Sequence, residues 1–293
     1  MKIVIHMGLH KTGSTSFQNF LSNNKVALMT VGILYPDSDN NEESQWKIPN
    51  QLMLENWSFL EEYFKKIISI AKSNSARTIF ISSEDMSILL SENFRVKKFE
   101  NLLLQIGITE IVWECVLRNQ WDYFNSLYAQ MSKHNVCMNY AIAGEEILRF
   151  GEISMGNDSF RYRFVFDYDK YIESFLEETK GSFSANSYES FISDGFIGKE
   201  LINKYIESEE DKRKFWLSNL IKSEKINARR DDEAIEIDYL ANFLGIAITN
   251  EIFEKNKSIF IPIIQNRHGM IDLVSEDLKN KFMEKYPKTS NYL

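Results

Sequence analysis

The sequence predicts an α/β fold: a central parallel sheet flanked by helices, followed by a helical C-terminal extension. Short apolar runs alternate with segments of helical periodicity over roughly the first 180 residues, the pattern of strands joined by crossover helices. A glycine-containing turn follows the first apolar run directly. The 293 residues, 44% hydrophobic and 26% charged, suffice for one α/β domain with a large core.

Lys2–Met7 (KIVIHM) is a short buried strand, and a helix is expected from about Gly13 to Leu21. Val31–Tyr35 is a second strand, ended by Pro36, and Asp37–Glu43 a polar loop. One helix is expected over Gln51–Ala71. Arg77–Ser82 (RTIFIS) is a strand with Glu84-Asp85 at its exit, and Phe99–Gln105 a helix. Glu110–Leu117 (EIVWECVL) is the next strand, ended by Arg118, with a helix over Trp121–Lys133. Tyr162–Phe166 reads as another strand and Tyr168–Glu178 as another helix. Gly181–Gly198, rich in Ser, Gly and aromatics, reads as a linker or loop. Beyond it the chain reads as helical and charged, apart from the apolar run Ile259–Ile264. A single domain is therefore expected, with its α/β core over about 1–180 and a helical covering region over about 181–293. It contains no internal repeat and no low-complexity segment.

Composition narrows the function classes. A formal net charge of −8 argues against a broad basic surface for nucleic acid, though not against a local basic pocket. Two cysteines, Cys115 and Cys137, suggest neither a disulfide framework nor a four-ligand zinc site, and Cys115 lies in an apolar run as a core thiol. No secretory signal and no apolar run of membrane-spanning length is visible. The expectation is a cytoplasmic protein without a transmembrane segment, able to touch a membrane peripherally where a lipid-linked acceptor is met.

The loop after the first strand reads Gly8-Leu9-His10-Lys11-Thr12-Gly13-Ser14-Thr15-Ser16. A strand, a glycine turn and a helix N-terminus aim several backbone N–H groups at one point, where the helix dipole adds partial positive charge. Lys11 supplies a full charge, and Thr12, Ser14, Thr15 and Ser16 supply hydroxyls. This set suits a phosphate or sulfate. It departs from the nucleoside-triphosphate pattern G-x-x-x-x-G-K-[ST]. Gly8 and Gly13 have the right separation, but Ser14 stands where that pattern has Lys, and the lysine is at position 11. Arg118 ends the strand Glu110–Leu117 at the edge where open parallel sheets bind ligands. Ser126 lies eight residues on, about two helical turns along the next helix. A planar guanidinium and a hydroxyl could grip a second phosphate.

Together these segments resemble the sulfotransferases that use 3′-phosphoadenosine 5′-phosphosulfate, particularly the bacterial, carbohydrate-type members. His10–Ser16 is similar to that family's 5′-phosphosulfate loop, whose core is Lys-[Ser/Thr]-Gly-[Ser/Thr]-Thr. Leu117-Arg118-Asn119, with Ser126 and Tyr128 following, is similar to its 3′-phosphate element. The departure is Asn119-Gln120, where many members have Asn-Pro. The ending Asp272–Leu293, with Tyr286 and Ser290-Asn291, is similar to the closing helix of bacterial members. The resemblance covers about residues 1–130 and fades beyond.

The resemblance implies a P-loop-type three-layer fold and transfer of a sulfuryl group to a hydroxyl or amine of a glycan, glycolipid or other small acceptor. It implies cofactor contacts by His10, Lys11, Thr12, Gly13, Ser14, Thr15, Ser16, Arg118 and Ser126, and no metal. Lys11 would neutralise the bridging oxygen. Glu84, at the exit of RTIFIS, is the candidate base for the acceptor proton, with Asp85 and His10 as the other candidates. Arg229-Arg230 and Arg267-His268-Gly269 are candidate closing elements for the 3′-phosphate. His134 sits at a helix end, and His6 alternates within a strand as a core residue. A P-loop kinase acting on a small molecule and a non-catalytic nucleotide-binding protein are the alternatives.

Overall fold

The computed structural model describes residues 1–37, 45–133, 139–156, 161–193, 195–222, 255 and 275–293. In chain order its strands are β1 (Lys2–Gly8), β2 (Ile33–Leu34), β3 (Thr78–Ser82), β4 (Glu110–Leu117), β5 (Glu152–Gly156), β6 (Arg161–Val165) and β7 (Ser182–Ser187). Its α-helices are α1 (Ser14–Asn23), α2 (Lys25–Thr30), α3 (Lys47–Met53), α4 (Trp57–Ser73), α5 (Val96–Gln105), α6 (Gln120–Lys133), α7 (Tyr140–Phe150), α8 (Tyr168–Glu178), α9 (Tyr188–Phe191), α10 (Lys199–Asn203) and α11 (Glu209–Leu217). A further helix covers 275–285. Two compact units result. The first holds the described residues of Met1–Arg118, Asp169–Ile226 and Ser290–Leu293; the second holds those of Asn119–Tyr168 and Asn227–Thr289.

The first unit is α/β, with a five-stranded parallel sheet in the order β2-β3-β1-β4-β7. β1 and β4 are central because their sequences are apolar on both faces, as strands covered on both sides must be. Flanking helices bury one stripe each. On α4 that stripe is Leu60, Phe64, Ile67, Ile68 and Ala71, at helical spacing. Phe17, Phe20, Phe64, Phe80 and Phe99 are fully buried, each contributing roughly 1.5–3 kcal/mol.

One buried carboxylate ties α5 to β4. Glu100 is fully buried, and Oε1 accepts from Trp113 Nε1 at 2.8 Å and from the Thr179 hydroxyl. Its Oε2 accepts from the Lys180 backbone N–H at 2.7 Å. With the Gly181 N–H, 3.3 Å from Oε1, four donors satisfy this buried carboxyl group.

The structure departs from the sequence pattern at three places. Gln51–Ala71 is not one helix: α3 ends at Met53 and α4 begins at Trp57. Glu55 takes a left-handed φ of 53°, and Asn56 caps α4 by accepting from Phe59 N–H, so the local chemistry breaks what the apolar periodicity spans. Tyr162–Phe166 supplies β6, which is outside the parallel sheet and pairs antiparallel with β5. Gly181–Gly198 is not a linker: it contains β7, paired with β4 from Val112↔Ser182 to Leu117↔Ser187, so the sheet continues past residue 180. Its serine-rich sequence carries little strand propensity, and long-range pairing overrides that.

The second unit packs α6, α7 and the helix 275–285 around aromatics. Phe282 stacks on Phe124 at 5.6 Å and meets Trp121 edge-on at 5.6 Å, while Tyr140 lies 4.8 Å from Phe124. Asn119 caps α6 by accepting from the Trp121 and Asp122 N–H groups. The run Ile259–Ile264 and most of the loop at 37–43 lie outside the described residues. No helix among the described residues is long and apolar enough to cross a membrane.

Candidate functional site

Sheet register brings three segments to one edge. β1 and β4 are parallel neighbours with Gly8 opposite Val116, so the loop after Gly8 and Arg118 leave side by side. Leu9 N–H donates to the Val116 carbonyl at 3.4 Å. On the other flank of β1, His6 is opposite Ser82, and Ser83 N–H donates to the His6 carbonyl at 3.2 Å. Glu84 therefore emerges beside the same loop. From β1 the chain turns toward β2 and β3; from β4 it goes on to β7, on the opposite flank. Adjacent strands whose connections diverge leave a crevice at their carboxyl ends, where α/β sheets bind ligands.

The loop is shaped for close approach. A Cβ on Gly8 would stand 2.4 Å from Ser14 Oγ and 3.0 Å from Thr12 Oγ1, so only glycine fits beneath the two hydroxyls. Thr12 is fully buried and donates to the Leu9 carbonyl at 2.5 Å; its hydroxyl braces the loop from inside. Gly13 caps α1 in the left-handed region (φ 83°), with no side-chain cap. The first-turn N–H groups of α1 lack intrahelical partners by construction, and the helix points them at the loop's mouth. Lys11, Thr15 and Ser16 are half-buried there.

Lys11 itself takes a left-handed φ of 64°, sparsely populated for a side chain of this kind. Arg118 holds that peptide: its Nη1 donates to the Lys11 carbonyl at 3.0 Å, joining positions 107 apart in sequence. Sequence reasoning found both cations but not this bond.

Across the loop, His10 lies between two carboxylates. Nδ1 is 3.6 Å from Glu84 Oε1, and Nε2 is 3.6 Å from Asp85 Oδ1. Both acids open a 3-10 turn, Glu84–Leu90. Burial pushes the Asp85 carboxyl above the usual range; His10 opposes that shift and Glu84 adds to it. His10, Glu84 and Asp85 thus form one cluster at the exit of β3.

Beneath the loop, His6 is fully buried, as its alternation in β1 predicts. Nδ1 is 2.8 Å from Ser82 Oγ, and the ring stacks on Phe191 at 5.5 Å and meets Phe17 edge-on at 5.1 Å. Burial lowers its pKa from 6.5 to about 3. The unfolded chain binds a proton below about 6.5 that the folded chain refuses until about 3. The stability contribution is therefore complete above pH 6.5 and is lost as pH falls through that window. The expected slope is roughly 1.4 kcal/mol per pH unit. Urea unfolding between pH 7 and 4.5 checks it: His6→Gln should flatten the dependence, and an unchanged slope would remove His6 as its source.

Ser126 lies half-buried on α6, in the second unit. Arg229, Arg267 and His134 lie outside the described residues. Sequence reasoning missed the contribution of 188–193 and 195–198. Phe191 packs on Phe17 at 5.0 Å, and a Cβ on Gly13 would meet Ile197 Cδ1 at 2.9 Å, so this segment covers the loop. Its aromatics were the available signal, hidden by the serines around them. Comparison with protein-family models, with curated proteins and with solved structures finds no match to this chain.

Proposed function

We propose that this chain is a P-loop-type sulfotransferase. It would move a sulfuryl group from 3′-phosphoadenosine 5′-phosphosulfate to a hydroxyl or amine of a glycan, glycolipid or similar small acceptor. The observation that carries the reading is the bond between Arg118 and the Lys11 carbonyl. It ties two cationic residues from adjacent strand ends to one crevice, and a ligand with two separated anionic groups suits such a pair. The cradle fits the cofactor's 5′ end: Gly8 leaves no room for a Cβ, and α1 presents its amides there.

When bound, the cofactor supplies the sulfuryl group and a phosphate leaving group. Lys11 neutralises charge developing on the oxygen that departs. The amides at Gly13–Ser16, with the Thr15 and Ser16 hydroxyls, hold the anionic oxygens, and donors fixed before reaction are the effective kind. Arg118 takes the 3′-phosphate. Glu84 would take the acceptor's proton as the acceptor's oxygen or nitrogen bonds to sulfur and the bond from sulfur to the 5′-phosphate oxygen breaks, with 3′-phosphoadenosine 5′-phosphate leaving. The role of Ser126 rests on the sequence resemblance.

Calorimetry tests the reading. Binding of 3′-phosphoadenosine 5′-phosphate without metal is expected, well above that of ATP·Mg²⁺. Equal or tighter binding of ATP·Mg²⁺ would overturn the proposal in favour of a kinase. Binding without radiolabelled sulfate transfer to any of a broad panel of glycans and glycolipids would favour a non-catalytic nucleotide-binding protein.

A further inference from the structure

Strand pairing sets two side chains beside each other at the cationic end of the crevice. Leu117 is opposite Ser187, the last register pair of β4 and β7. The next residues are Arg118 and Tyr188, and the Arg118 guanidinium carbon lies 4.6 Å over the centre of the Tyr188 ring. Tyr188 is itself fixed. It opens α9, where Ser187 Oγ accepts from Ser190 N–H at 3.1 Å, and the Phe191 carbonyl accepts from Gly198 N–H at 2.7 Å.

We propose that Tyr188 is a positioning residue, orienting Arg118 toward the second anionic group of the ligand; this rests on the two-anion reading above. An arginine side chain has several free torsions, and ordering it on binding costs affinity. Here, among the described residues, Nη1 is held on the Lys11 carbonyl and the guanidinium face on Tyr188. Together they fix the plane of the fork. The ring face supplies the second hold, so the tyrosine hydroxyl is dispensable. Tyr188 also packs against the core, while the contacts of the covering segment to Phe17 and Gly13 are made by Phe191 and Ile197.

The test compares AMP with 3′-phosphoadenosine 5′-phosphate by calorimetry, since they differ by one phosphate. Wild-type protein is expected to prefer the doubly phosphorylated nucleotide. Tyr188→Leu should weaken that ligand about tenfold while leaving AMP within about twofold. Tyr188→Phe should match wild type. Should Tyr188→Leu not fold, Tyr188→Met serves the same comparison. An equal loss for both nucleotides, or full retention in the non-aromatic variant, would overturn the positioning role. A wild-type protein that does not distinguish the two nucleotides would instead overturn the two-anion reading itself.

Discussion

Lys11→Ala is expected to weaken binding of 3′-phosphoadenosine 5′-phosphate by on the order of a hundredfold, and to lower sulfuryl transfer by about 10²–10³. Two losses combine: the positive charge in the loop, and its stabilisation of the oxygen that departs. Calorimetry and radiolabelled transfer read them separately. Lys11→Gly sharpens the test, because position 11 takes a left-handed φ that glycine adopts without cost. That variant should melt no lower than wild type while binding as poorly as Lys11→Ala. A parallel loss of stability and binding would mean that position 11 matters for folding alone. Wild-type affinity in Lys11→Ala would remove the lysine from the site.

Glu84→Gln carries the second large effect. Transfer should fall by about 10²–10⁴, the usual range for removing a positioned base, while nucleotide affinity stays within about twofold. Glutamine keeps the side chain's size, so the 3-10 turn that Glu84 opens should persist. Asp85→Asn should have the smaller effect. Its carboxyl is displaced upward chiefly by burial and stands on the opposite nitrogen of His10. Full turnover in Glu84→Gln would transfer the base role to Asp85 or His10.

Much of this arrangement was legible because the signals are local. Lys2–Met7, Arg77–Ser82 and Glu110–Leu117 read as strands from their own apolar runs, and β1, β3 and β4 occupy those stretches. What was misread depended on partners far away. β7 is a strand because β4 offers it a ladder, and its serines gave no hint of that. The break at Glu55 and Asn56 was local but short, and a periodicity that counts apolar spacing passes over one left-handed residue and a cap.

By itself the sequence determined the α/β class, the identity of the three inner strands and the composition of the Gly8–Ser16 loop. Those depend on side-chain periodicity and on glycine's access to conformations other residues avoid. Only the tertiary structure decided that Arg118 holds the Lys11 carbonyl, that His10 stands between Glu84 and Asp85, and that Tyr188 lies against the Arg118 guanidinium. Each of these joins residues that follow the ends of different strands. Their meeting depends on parallel register, which long-range pairing sets and no local stretch of sequence encodes.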